Sequence, residues 1–107
     1  MTRGDVVTVV APGDYGKPRP ALVVQSDLFR DHSSITVCLM TSNLRDTPLF
    51  RFTVPPKSSN GLHKPSQVMV DKIVTVARAR IGETIGRLDD SEMAEVTRLL
   101  ALWLGLA

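Results

Sequence analysis

Residues 89–107 are the one stretch in which apolar side chains recur at a helical spacing; everything ahead of them alternates or runs in short β-branched segments. Asp89-Asp-Ser-Glu92 has the pattern of a capping box with Asp89 as N-cap, and Met93, Val96, Leu100, Trp103 and Leu104 follow as an apolar stripe. A chain with one amphipathic helix and many short strands uses that helix as the apolar lid of a small sheet. The acidic first turn suits the positive end of the helix dipole, so Asp89, Asp90 and Glu92 need no functional explanation.

The strands are read from the same patterning. Gly4 to Val10 is β-branched on both parities and predicts a strand buried on both faces. Residues 11–17, with two glycines and a proline, predict a loop. Pro20 to Gln25 predicts a second strand, and Ser26 caps a short helix over residues 26–30. Ile35–Thr41 alternates and ends in the polar turn Thr41-Ser-Asn43. Leu49–Val54 puts Phe50, Phe52 and Val54 on one side and Leu49, Arg51 and Thr53 on the other, the pattern of a half-buried antiparallel strand. Pro55 to Pro65 predicts a long mobile loop, Ser66–Val76 the longest strand, and Ile81–Leu88 a short last one. The fold class is mainly β: a small, strongly bent antiparallel sheet or half-barrel with a C-terminal helix, in one domain over residues 1–107.

Composition excludes several function classes. No apolar run reaches the roughly 18 residues that span a bilayer. Met1 to Asp5 leads straight into a strand pattern, without the apolar core of a signal peptide. Cys38 is the only cysteine, which forbids an intrachain disulfide and fits a reducing cytoplasm; with two histidines and no paired spacing, it also argues against a zinc site. There is no phosphate-binding glycine loop and no Ser/His/Asp set. The net charge is +2, unevenly spread: residues 1–88 hold 12 Lys/Arg against 7 Asp/Glu, a net of +5, and residues 89–107 hold Arg98 against four acids, a net of −3. A basic body suits a polyanionic partner.

Three polar residues stand on sheet elements. Arg19 lies between two prolines in Lys17-Pro-Arg-Pro20, so its backbone is stiff and extended at a strand entrance. Thr41 closes a strand. Asp71 sits inside one, where aspartate is depleted and a buried carboxylate needs a partner; the adjacent Lys72 points to the opposite face. His63 is either a solvated loop residue or a general acid/base, His32 is exposed, and Cys38 lies within an apolar alternation as an inert thiol.

The chain resembles the MazF/PemK toxins of bacterial toxin–antitoxin systems. The resemblance rests on Arg3-Gly-Asp-Val-Val, Lys17-Pro-Arg-Pro-Ala-Leu-Val-Val, Leu39-Met-Thr-Ser, Pro65-Ser-Gln-Val-Met-Val-Asp-Lys-Ile-Val-Thr-Val, Arg80-Ile-Gly and Ile85-Gly-Arg-Leu, in that order over nearly the whole length. It implies an SH3-like half-barrel and a homodimeric, sequence-specific endoribonuclease. Such an enzyme cuts single-stranded RNA, chiefly mRNA, with no metal or cofactor, leaving a 2′,3′-cyclic phosphate and a 5′-OH. The family's catalytic arginine falls on Arg19, its catalytic threonine on Thr41, and the aspartate of one branch on Asp71. Met69 stands where that branch has arginine, and the first loop lacks its histidine.

The resemblance also implies an acidic, MazE-like antitoxin as partner, with contact to DNA only through that antitoxin. A guanidinium fork fits two phosphate oxygens and a threonine hydroxyl can donate to the same group. Neither side chain is a base at neutral pH, so Asp71 or a positioned water is left for that step. With aromatics at 5%, Tyr15 is the one plausible stacker, and Asp14, Lys17, Ser42, Asn43 and Gln67 are the expected RNA contacts. An alternative resemblance leads to CcdB-like DNA gyrase poisons without nuclease activity: Val24-Gln-Ser-Asp27 and the tail Leu102-Trp-Leu-Gly-Leu106 are similar to theirs, although a leucine separates Trp103 from Gly105.

Overall fold

Six antiparallel strands form one sheet in the computed structural model, which describes residues 1–10 and 16–107. The strands are β1 (Asp5–Val9), β2 (Arg19–Val23), β3 (Ser34–Thr41), β4 (Arg51–Val54), β5 (Ser66–Ala77) and β6 (Ile81–Arg87), in the order β4-β5-β3-β2-β1-β6, followed by α1 (Asp90–Trp103). Each agrees with the sequence reading to within a few residues. The segment after β2 is a 3₁₀ turn over Asp27–Phe29, with Ser26 accepting from the Leu28 N–H as its cap. Asp14 and Tyr15, expected to contact RNA, lie outside the described residues.

Period-2 alternation divides the apolar residues between the two faces of the sheet. On one face Val6, Leu22, Cys38, Met40, Val54, Val68 and Val70 pack with Met93, Val96 and Leu99 of α1. On the other, Val7, Val9, Ala21, Val23, Ile35, Val37 and Val76 form a second cluster, with Ile81 and Met1 against it. Strand β1 therefore contributes to both, as its unbroken β-branched run predicted. The sheet departs from flatness where its registers slip. The β1–β6 ladder shifts twice between Val6 and Val9. The β3–β5 ladder jumps from Cys38↔Ile73 to Met40↔Val68, so Met69 to Lys72 bulge against Leu39 alone.

The helix begins as predicted, with the full capping box: Asp89 accepts from the Glu92 N–H and the Glu92 side chain accepts from the Asp89 N–H. Its buried stripe differs from the expected one. Met93, Val96 and Leu99 are buried and Leu100 is partly so, but Trp103 is 50% exposed and Leu104 57%. Helix α1 makes its most extensive strand contacts with β5 and then the edge strand β4, and near its end the half-exposed Trp103 meets the Phe50 ring at 5.9 Å and 49°.

The Pro55–Pro65 loop has a buried anchor that its composition did not announce. Asn60 is 1% exposed, accepts from the Lys57 and Leu62 N–H groups and donates to the Pro55 carbonyl. Arg87 N–H donates to the Ser59 carbonyl, and Gly61, at φ +71°, packs so closely on Ile85 that a Cβ would meet its carbonyl oxygen. Internal hydrogen bonds thus anchor the middle of a stretch whose other residues are mostly exposed. At the same end of β6, the Arg87 side chain pairs with Asp5 at 2.8 Å, and Asp5 Oδ2 also accepts from the Thr2 N–H. No helix among the described residues is long and apolar enough to cross a membrane.

The backbone N–H of Glu92 holds the Asp89 carboxyl below its ordinary value of 3.8. A carboxyl depressed on folding contributes stability above its unfolded pKa and loses it as pH falls through the folded one. Asp89→Asn keeps a capping acceptor that does not titrate. The melting-temperature difference between wild type and Asp89→Asn is therefore expected to shrink as pH drops below 3.8, measured by circular dichroism; a constant difference would refute this assignment.

Candidate active site

The register of β2 on β3 positions the first two site residues. Ala21↔Leu39 and Leu22↔Cys38 are paired, and the same register carried two residues outward sets Arg19 opposite Thr41. Directly paired residues share a face. Arg19 and Thr41 thus project from the end of the sheet on the side away from α1, and they line one cleft of about 340 Å³ with Pro20, Leu39, Ser42, Ser66 and Met69.

Each side chain is free for a ligand in a specific sense. Arg19 is exposed, with no hydrogen bond or ion pair among the described residues. Thr41 is half-buried, and its Oγ1 accepts from the Asn43 N–H at 3.1 Å, the tight turn expected of Thr41-Ser-Asn43. With a lone pair occupied by that bond, the hydroxyl hydrogen remains for an acceptor in the cleft. Ser42 also lines the cleft, and Met69, from the β5 bulge, supplies an apolar wall.

Asp71 is not brought to this cleft. It lies within the bulge, partly buried, and its Oδ1 has no hydrogen-bond partner among the described residues. Its charge reaches Cys38 instead. Burial pushes the Cys38 thiol up to about 12; Arg3 opposes that shift and Asp71 adds to it. A thiol in that state is protonated and inert, as its place in an apolar alternation suggested. His63 is exposed in a separate shallow depression with Pro56, Lys57 and Leu62, and the exposed His32 accepts from the Ser34 N–H. Among the described residues no three His, Cys, Asp or Glu side chains gather as a metal site.

Gln67 pairs with both Thr41 and Thr53, which extends the Arg19–Thr41 row across two more strands. Its amide is spent internally. Oε1 accepts from the Arg45 N–H at 3.0 Å, while Nε2 donates to the Arg45 carbonyl at 2.8 Å and to Thr53 Oγ1 at 3.1 Å. At 5% exposure it fastens the segment after β3 to the sheet, whereas Ser42, which lines the cleft, and Asn43 and Lys17 are exposed. Arg45 and Arg51 escaped the sequence reading as site residues; an arginine on the polar parity of a half-buried strand was the available signal for Arg51.

A family model described as a PemK-like, MazF-like toxin of type II toxin–antitoxin systems matches residues 2–104. The chain is similar to a probable endoribonuclease MazF of Mycolicibacterium smegmatis, 41% identical over 108 residues that cover 100% of this chain and 99% of that one. Among solved structures it is similar to the Mycobacterium tuberculosis toxin MazF-mt6, with TM-score 0.83 and 24% identity over 96% of this chain and 98% of that one. It is also similar to a chain of a MazE–MazF crystal structure from Deinococcus radiodurans, with TM-score 0.78 and 25% identity over 98% of this chain and 96% of that one. The resemblance to CcdB-like gyrase poisons gains no support: Trp103, its main feature, falls inside the matched stretch and packs on Phe50.

Replacing Gln67 by leucine strands the Arg45 N–H and carbonyl. Gln67→Leu is expected to lower unfolding free energy by about 2 kcal/mol and to speed hydrogen exchange of the Arg45 amide. Unchanged exchange there would show that the amide does not anchor the segment.

Proposed function

This chain belongs to the PemK-like, MazF-like toxins of type II toxin–antitoxin systems, and we propose that it is an endoribonuclease whose scissile phosphate lies between Arg19 and Thr41. The observation that carries this reading is the shared cleft: a guanidinium with no partner among the described residues and a hydroxyl that accepts from the Asn43 N–H and can still donate, opposite each other on neighbouring strands. In the reaction the 2′-oxygen of a ribose forms a bond to the adjacent phosphorus and the bond from phosphorus to the 5′-oxygen breaks. One proton leaves the 2′-OH and one reaches the departing 5′-oxygen. The guanidinium of Arg19 faces two non-bridging oxygens, and Thr41 donates to the same group. Both act where negative charge builds, the class of effect worth about 10²- to 10³-fold per donor. Cleavage of this kind gives a 2′,3′-cyclic phosphate and a 5′-OH, and it attacks single strands because the 2′-OH must line up with the leaving oxygen.

The two prolines flanking Arg19 limit its backbone to extended geometry, so the cation is positioned before substrate arrives. Ser42, which lines the cleft, and the exposed Lys17 and Asn43, two residues in sequence from Arg19 and Thr41, are the polar groups this reading assigns to the flanking nucleotides. The partner chemistry follows from charge and surface. A body of net +5 over residues 1–88 attracts RNA and an acidic antitoxin alike. The exposed Leu102, Trp103, Leu104 and Leu106 add an apolar surface of the kind a protein partner, including a second copy of this chain, covers.

Purified protein with a long single-stranded RNA in excess EDTA is expected to give discrete fragments ending in 5′-OH. Arg19→Ala and Thr41→Val should each lower the rate about 100-fold or more with the circular dichroism spectrum unchanged, and Thr41→Ser should retain most of it. Full activity in Arg19→Ala would remove the phosphate from this cleft.

A further inference from the structure

The described residues hold a second polar cavity, of about 470 Å³, on the far side of Gln67. It lies between the segment of residues 45–48, strand β4 and helix α1, and three arginines line it: Arg45, Arg51 and Arg98. Two of its buried polar atoms, Arg51 Nε and Thr47 Oγ1, have no hydrogen-bond partner among the described residues. An orphaned buried donor costs free energy that a fold ordinarily avoids, and Nε of arginine can only donate. The rest of the Arg51 fork is lightly committed, with Nη1 donating to the Asn43 carbonyl at 3.3 Å and to Gln67 Oε1 at 3.4 Å. The acidic residues at the cavity are Asp46 and Glu95, and Glu95 is already hydrogen-bonded and ion-paired to Arg98, which leaves a net positive charge.

We infer that this cavity is a second phosphate subsite for the same RNA strand, with Arg51 and Thr47 as its donors; the inference rests on the endoribonuclease reading above. Register supplies the path. Arg19, Thr41, Gln67 and Thr53 form one row across β2, β3, β5 and β4, with Arg51 two residues from Thr53 on the same side. Three interstrand steps put the row at about 14 Å end to end. The bonding is continuous as well: Thr41 Oγ1 accepts from Asn43 N–H, and the Asn43 carbonyl accepts from Arg51. A strand leaving the scissile phosphate over Ser42 and Asn43 arrives at Arg51. That continuity favours the RNA backbone over a carboxylate of a protein partner. A phosphate satisfies both orphaned donors at once and takes two arms of the guanidinium.

The test uses non-cleavable 2′-O-methyl oligoribonucleotides of mixed sequence, about four and about twelve nucleotides long, with affinity read by fluorescence anisotropy. The variants are Thr47→Val and Arg51→Gln. For the long oligomer each is expected to weaken binding about tenfold, and Arg51→Gln to lower the slope of log affinity against log salt by about 0.7. For the short oligomer, held at the Arg19–Thr41 cleft, the variants should match wild type. Thr47→Val swaps an orphaned hydroxyl for a methyl and should leave the melting temperature unchanged or higher, which a merely structural hydroxyl would not do. Equal losses on both oligomers, or none on the long one, would overturn the subsite while leaving the endoribonuclease reading standing. So would unchanged long-oligomer affinity together with weakened binding of an acidic antitoxin peptide. Wild-type protein that binds neither oligomer would remove both.

Discussion

Strand β3 sits between β2 and β5, and its two registers decide where every functional group points. On the β2 side the pairing is regular up to Leu39, so Arg19 comes to face Thr41. On the β5 side four residues are set against one at Leu39. Because side chains alternate with period 2, an odd offset exchanges the faces that β5 presents beyond it. The three-residue slip from Cys38↔Ile73 to Met40↔Val68 lets Val68 and Val70 join the core under α1 while Gln67 joins the row that starts at Arg19. One bulge thus reconciles packing against the helix with the polar row on the opposite side.

On the proposed reading, the same row gives a small chain with few aromatics a way to hold a long anionic ligand. With aromatics at 5% of the residues, charge and hydrogen-bond donors spaced by the interstrand distance take the place of a broad base-stacking platform. Rigid elements hold those donors. Arg19 is set by flanking prolines, Thr41 by its bond from Asn43, and Arg51 by strand β4. Gln67, buried among them, spends its amide on Arg45 and Thr53 and so keeps the connecting segment in place. The groups proposed to meet substrate thereby rest on a buried side chain whose own hydrogen bonds stay within the protein.

Sequence reasoning failed where tertiary contacts replaced a local tendency. Residues 55–65 look like a solvated loop because proline, glycine and serine dominate them, yet Asn60 is buried by its fit against β6 and pins three backbone groups. Trp103 continues the helical stripe but is half exposed, and a periodicity carries no information about where the neighbouring surface stops. Arg45 and Arg51 were unremarkable surface arginines until the fold enclosed a cavity around them.

The sequence by itself determined the elements, the capping box at Asp89, the doubly buried first strand, the inert Cys38 and the stiff presentation of Arg19, because each depends on side-chain periodicity or local backbone chemistry. Its ordered motifs also determined the family. Tertiary structure alone decided that Arg19 and Thr41 share a cleft while Asp71 is set apart in the bulge, that Gln67 turns inward, and that Arg51 and Thr47 each keep a buried polar atom with no partner among the described residues. Those outcomes depend on strand register and on where one element runs out against another. Register is a relation between segments distant in sequence, fixed by the packing of both faces at once, and no local pattern encodes it.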